Sequence, residues 1–297
     1  MLRATLVLPE HQAANLAHAY GRASAVRRRK SIEGAVIVVL CIALAAYFGE
    51  VDLTKLFHNF GNLTSYFGRL AYLDSGAPVV SDPGEWFWGI TQKNKWLPLL
   101  GQTLMSAYLG TLIGAVGGFF WCFLAAANLT HNRLIRFCSR RFLEFCRTVP
   151  ELVFALIFVV AFGLGPLPGV LALAIHSTGA LGKLFAEVVE NIDMKPVEGV
   201  TATGAGFLKT VRFAVLPQVL SNFASYALLR FEINVRLAGV MGFIGAGGIG
   251  QELLVAIRRF YYSDVSALLI LLIVTVAAIY LVTERLRSLL ISHEAPR

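Results

Sequence analysis

Glu198 is followed by Gly199, by Gly204 and Ala205, and Leu216-Pro217 closes the segment. The whole stretch is polar and lies between two long apolar runs. A carboxylate beside a glycine that lets the chain turn sharply is chemistry for docking, a knob that a soluble partner can grip. A second set of reactive residue types lies inside apolar sequence: His176-Ser177-Thr178, and Arg230, Glu232, Asn234 and Arg236 at alternate positions. A charge at membrane depth costs a few kcal/mol or more unless it is paired or faces a wet cavity. Helical geometry puts Arg230 and Asn234 on one face, and Glu232 and Arg236, four apart, on nearly the opposite face. The second pair can neutralise itself and reads as structural. Arg230 is flanked one turn away by Tyr226 and Asn234. It therefore needs water, another helix or an anion. His176 with its neighbours fits either a hydrogen bond across a bundle or a place on a substrate path.

Other chemistries are excluded by spacing. Gly245, Gly247 and Gly250 match a dinucleotide-binding pattern, with Gly248 between them. That pattern also needs an acidic residue about 20 positions on; Ile270 stands there, inside an apolar run, and Asp264 comes too early. These glycines read instead as a place where the backbone turns back at a membrane surface. Gly182-Lys183 resembles the end of a P-loop, but Ser177 occupies the first glycine position and Leu184 follows the lysine. Any ATP hydrolysis belongs to another subunit. The cysteines Cys41, Cys122, Cys138 and Cys146 lie in or beside apolar segments without CxxC spacing and read as small apolar residues. No metal-ligand spacing or nucleophile–base pair appears, so the chain is expected to hold no metal or cofactor and to catalyse nothing. Glu151, Glu187 and Glu190 read as helix-end and loop-pairing charges.

The elements that must position these groups are membrane helices. The 297 residues are 57% hydrophobic and only 15% charged, against about 25% in soluble domains. A span needs about 20 apolar residues, and six segments qualify: 32–49, 99–127, 148–164, 167–189, 217–244 and 263–283. Arg27-Arg28-Arg29-Lys30 precedes the first, with Ser31 placed to cap it and Glu33 in its first turn. The cluster sets the amino terminus in the cytoplasm. Alternation then assigns 18 Lys and Arg residues to cytoplasmic segments and six to external ones, so the net charge of +8 reflects topology rather than nucleic-acid binding. Residues 51–73 space their apolar side chains as an amphipathic helix lying at the outer interface, and Trp86, Trp88 and Trp96 suit an interfacial belt. In the knob, Pro196 stands at a helix start, Val197–Ala205 form one short helix, and a second, 206–215, leads into Pro217. The chain divides into 1–98 (cytoplasmic tail, first span, external segment), a core of 99–288, and a cytoplasmic tail of 289–297.

The element from Glu198 to Pro217 resembles the cytoplasmic coupling motif of ABC-importer permeases, with Gly199-Val200 where two alanines are usual. The Glu-Gly variant is similar to phosphonate-importer permeases in particular. So are Gly163-Leu-Gly-Pro166 with His176–Gly179, Arg230–Arg236 and Gly245–Gly250. The resemblance covers about residues 99–288. It implies an all-α membrane protein of six transmembrane helices, with the type I ABC-importer permease fold and cytoplasmic coupling helices, in a bacterial inner membrane. It implies a homodimer, two ABC ATPase subunits carrying the ATP and Mg, and a periplasmic phosphonate-binding protein. Glu198, Gly199, Gly204, Ala205, Leu216 and Pro217 would couple to the ATPase. Arg230, Asn234, His176, Ser177 and Thr178 would be candidates for the translocation path, and Gly245, Gly247, Gly248 and Gly250 for the external gate. A permease for another small anion (phosphite or a phosphate ester) or for an amino acid is the alternative. An intramembrane enzyme lacks clustered catalytic groups, and a channel would not need the coupling motif.

Overall fold

The computed structural model describes residues 10–292; Arg3, Arg297 and the last five residues of the expected tail lie outside the described residues. The chain separates at Ser65/Tyr66 into two compact units. In the first, α1 (Glu10–Phe48) runs unbroken through the basic cluster. Ser31 therefore caps nothing, and Glu33 pairs instead with Arg29 one turn back at 2.8 Å. The amphipathic segment is two helices, α2 (Leu53–His58) and α3 (Phe60–Arg69), rather than one. Asp52 caps α2, accepting from Lys55 N at 3.0 Å, and that bond holds its carboxyl below the usual range. Asn59 ends α2 through Nδ2 to Lys55 O.

The second unit begins at Tyr66, and the segment before the next long helix is tied down by its tryptophans. After two single-turn helices, α4 (Pro83–Trp86) and α5 (Trp88–Thr91), Trp96 is fully buried. Trp86 Nε1 donates to Ser266 Oγ at 2.9 Å and Trp88 Nε1 to Asp264 at 2.6 Å. The indoles are thus part of a core with Ile249, Leu253 and Leu268, not a lipid-facing belt. There follow α6 (Trp96–Ala125), α7 (Arg133–Thr148), α8 (Glu151–Phe162), α9 (Pro166–Glu190), α10 (Met194–Ala202), α11 (Phe207–Thr210), α12 (Leu216–Met241), α13 (Ile249–Arg258) and α14 (Tyr262–Ser292). No β-strand occurs among the described residues.

The tightest pair is α6 against α9. Gly110, Gly114 and Gly118 recur every four residues on α6 and meet Leu173, Ser177 and Gly182 on α9. Lipid supplies no hydrophobic drive between membrane helices, so small residues that let backbones touch supply the packing. A Cβ on Gly118 would stand 2.8 Å from Gly182 N and has only backbone around it. Gly118→Val should therefore destabilise the fold by about 1–3 kcal/mol, read as a lowered unfolding midpoint in detergent; an unchanged midpoint would show that these helices do not pack this way.

Among the described residues four helices are long and apolar enough to cross a membrane singly, and the number is six if each of two bent pairs is one span. The expected third span, 148–164, is one of these pairs. Its helix α8 would reach only about 18 Å, short of the ~30 Å of hydrocarbon. Helix α7, in a segment to which no element was assigned, precedes it at 82° and lays Leu143 and Cys146 against Gly179 and Gly182 of α9. Pro150 sets the break, since the residue before a proline is driven out of helical geometry and Val149 is extended. The fifth span is α11, a π-turn at Val211–Val215 and α12, with α13 following at 47°. The π-turn accommodates Pro217, which cannot donate to the preceding turn and would clash with it in a regular α-helix.

Candidate functional site

The knob is a hairpin of α10 and α11 held at its base. Asp193 caps α10 through Lys195 N at 3.0 Å, so the helix starts three residues before the expected Val197 and ends at Ala202. Val197 is buried among Val211, Val215 and Phe223, which fixes α10 to the bundle. Gln218 closes the base: its Oε1 accepts from Asp193 N at 3.1 Å, and its Nε2 donates to Asp193 O and Ala214 O. Nothing in the sequence signalled Gln218, whose role depends on two segments 25 residues apart meeting. At the tip Gly204 has φ +79°, a left-handed conformation that other residues resist. Glu198 and Gly199 are exposed on α10, and the Glu198 carboxylate makes no hydrogen bond or ion pair with the described residues. Ala205 and Leu216 are half-buried and Pro217 is exposed. Phe207, Leu208 and Phe213 add exposed apolar surface on the same hairpin, Leu208 to 80%. An exposed carboxylate beside these apolar side chains, with Lys209 and Arg212 also exposed, has the composition of a contact surface.

Halfway along the bundle the polar side chains of four helices, α6, α8, α9 and α12, converge. Arg230 is 9% exposed. Its Nε donates to Ser177 Oγ at 3.0 Å and its Nη2 to His176 Nδ1 at 2.5 Å. His176 Nε2 in turn donates to Arg147 O, the last-turn carbonyl of α7, at 3.1 Å, and lies 3.5 Å from Glu151 Oε2. Asn234 is fully buried, with Nδ2 donating to Thr111 Oγ1 at 2.8 Å and Ser177 Oγ at 2.9 Å. Of the three answers open to Arg230, the structure thus gives another helix. Its Nη1 makes no hydrogen bond with the described residues. Thr178 does not join this group; it turns to Ala174 O on its own helix and packs against Gly117. Glu151 and Thr111 do join it. Glu151 read as a helix-end charge because its partner is 25 residues away, and Thr111 gave no signal within an apolar run. Glu190, by contrast, pairs with Arg140 and accepts from Ala127 N at 2.7 Å at the end of α9.

Glu232 and Arg236 form an ion pair on the opposite face of α12, above an apolar groove of about 710 Å³ between α12, α13 and α14. Glu232→Gln should lower the yield of folded protein several-fold, since Arg236, more than half exposed on the outside of the bundle, would then carry its charge unpaired at membrane depth. The double change Glu232→Gln/Arg236→Gln should restore it. Quantitative blotting of detergent-extracted protein decides, and a double variant no better than the single one would deny the pair a structural role.

The glycine turn after α12 is real but closed to ligands. Gly245, Gly247 and Gly248 all have positive φ. The first amides of α13 are already used, Gly248 N donating to Gln102 Oε1 and Ile249 N to Thr103 Oγ1, each at 2.9 Å. Gly250 lies within α13, packed on the backbone of Gly239, and Gly245 O accepts from Gly165 N at 2.9 Å. The turn therefore links α6, α9 and α12 at the end of the bundle away from the knob. Among the described residues no His, Cys, Asp or Glu cluster could hold a metal.

A polar hub in a helical bundle, with a knob at one end and a glycine turn at the other, has a counterpart among known proteins. The family model described as binding-protein-dependent transport system inner membrane component matches residues 110–293. The chain belongs to this family. This inner membrane component is 38% identical over 248 residues to the phosphite transport system permease protein PtxC of Stutzerimonas stutzeri, covering 83% of this chain and 85% of that one. It is 40% identical over 190 residues to the phosphate-import permease protein PhnE of Mycolicibacterium smegmatis; there the match spans 64% of this chain and only 36% of the relative's length. Among solved structures, the inward-facing MetNI methionine ABC transporter matches with a TM-score of 0.57 at 18% identity, over 66% of this chain and 95% of that one. That likeness establishes the fold, that of an ABC-transporter permease.

Proposed function

We propose that this permease forms, with a second copy of itself, the path by which an ATP-driven importer carries phosphonates or a closely related phosphorus oxyanion such as phosphite into the cell. The observation that carries the substrate class is the match along most of the chain to a phosphite permease, beside a phosphate-import one. The buried guanidinium of Arg230 supports it, because its planar fork suits phosphoryl oxygens and its Nη1 is unspent. A conduit must release what it binds, so weak engagement by one arginine fits better than a dedicated cage. Two ATPase subunits would dock on the knobs around Glu198 and Gly204, hold the ATP and Mg, and drive the knobs together on closing. The path between the two copies would then open outward, as a rigid-body change between packed arrangements. A soluble binding protein would deliver the anion on the other side, and the glycines at 245–250 would form part of the external gate.

The test is uptake into proteoliposomes holding the permease, its ATPase and its binding protein. ATP-dependent accumulation of methylphosphonate or phosphite, with no accumulation of methionine, is the expected result. Accumulation of an amino acid alone would replace the oxyanion by the rival substrate class. Orientation is checked separately in a variant lacking the native cysteines. A cysteine at 200 should react with impermeant thiol reagents only from the cytoplasmic side and one at 80 only from outside. Labelling of both from one side would overturn the topology.

A further inference from the structure

At the end of the bundle away from the knob, α13 closes on an unusual residue. Tyr261 N donates to Ala256 O at 3.0 Å and Phe260 N to Ile257 O at 3.2 Å, the paired bonds of a Schellman cap. The cap needs a left-handed residue, usually glycine, where Phe260 sits with φ +61°. A bulky side chain is a rare outlier in that conformation. Among the described residues its ring meets another only at Tyr262, with centroids 6.4 Å apart and planes tilted by 45°, and Phe260 stays 71% exposed, so packing within the bundle does not account for the conformation. Arg258 and Arg259 precede it, both exposed and without an ion pair among the described residues. Beside them Arg69 reaches from α3 to donate to Tyr262 Oη at 3.2 Å, its guanidinium 5.4 Å from the Tyr262 ring centre. Of the carboxylates at this corner, Glu252 is engaged with Lys95 and Asp264 with Trp88, and Asp74 lies within electrostatic range of Asp264.

Arginines at a helix C-terminus complement its dipole and need no other reason. Phe260 does have to be explained, since glycine would make the same cap without strain. Anchoring in lipid is an insufficient account, because a membrane interface accepts an aromatic at any neighbouring position. A protein pocket requires one defined direction, and a rigid left-handed cap provides it. An exposed aromatic directly after two exposed arginines is also the composition of a binding hot spot.

We infer that the turn Arg258–Tyr261, with Arg69 beside it, is the docking surface for an acidic face of the soluble binding protein, Phe260 being its anchor. This rests on the importer reading, which supplies the partner. The experiment uses the assembled permease–ATPase complex in nanodiscs, with ATPase activity followed against concentration of the system's methylphosphonate-loaded binding protein. Phe260→Gly keeps the cap and should leave assembly and basal ATPase activity unchanged, while the binding protein needed for half-maximal stimulation rises at least about tenfold. Arg258→Glu/Arg259→Glu should raise it further and remove the weakening that salt produces in the wild type. Half-saturation of Phe260→Gly at the wild-type concentration overturns the docking site while leaving the importer intact. A defect that follows the phosphatidylglycerol content of the disc, without a change in binding-protein dependence, assigns the turn to lipid instead. Absence of stimulation in the wild type removes the importer reading and this surface with it.

Discussion

Replacing Gly204 by valine is expected to cut coupled transport at least about tenfold while the permease still inserts and folds. The reason lies in the backbone. Gly204 has φ +79°, and a Cβ added there meets no other atom within 4 Å. Crowding is therefore not the mechanism. An L-residue in that conformation costs roughly 1–2 kcal/mol, and a β-branched one resists it most. The tip can relieve the strain only by re-aiming α10 relative to α11, which moves Glu198 with respect to Phe207 and Leu208. Core packing through Val197 should hold, so membrane insertion is spared. Co-purification of the ATPase is the measurement, with Gly204→Asn as control because asparagine tolerates the left-handed region. Valine should lose the ATPase and asparagine keep most of it. Normal co-purification and transport by the valine variant would remove the coupling role.

Arg230→Gln is expected to lower uptake by about tenfold to a hundredfold, the worth of one charge-assisted hydrogen bond of about 1.5–3 kcal/mol. The complex should still assemble and hydrolyse ATP. Glutamine is neutral and can keep a bond to Ser177 or to His176, so the convergence of α9 and α12 loses its charge but not all its contacts. Arg230→Lys should also transport poorly, since an ammonium lacks the fork that serves Ser177 and His176 together and leaves Nη1 over. Uptake in proteoliposomes is to be normalised to each subunit quantified separately. Transport at the wild-type rate, or failure that tracks loss of assembly, would make Arg230 a structural residue.

Much of the fold was legible because membrane insertion writes itself into composition. Long apolar runs, a basic cluster and interrupting prolines and glycines mark span ends one residue at a time. The same one-dimensional reading assigned no helix to 133–148, since its five arginines conceal the stripe of Ser139, Leu143 and Cys146 that packs on α9. It also took the tryptophans for a lipid-facing belt, because an indole whose N–H finds Asp264 or Ser266 some 180 residues away looks identical in sequence to one facing headgroups. The glycines of α6 drew no notice, although Gly110, Gly114 and Gly118 set how closely α6 and α9 approach.

By itself the sequence determined the class of element, the family resemblance, the glycine-tipped knob and the two faces of α12, all of which rest on spacings within one contiguous segment of chain. Only the tertiary structure decided what Arg230 touches, that His176 joins it to the α7 carbonyl of Arg147 and to Glu151, that Thr178 stands apart, and that Gln218 closes the knob. It alone showed Phe260 held in a glycine's place with its ring outward. The physical reason is the same throughout. Periodicity fixes which side of a helix a residue faces, whereas the partner it finds there depends on how closely helices from distant parts of the chain can approach.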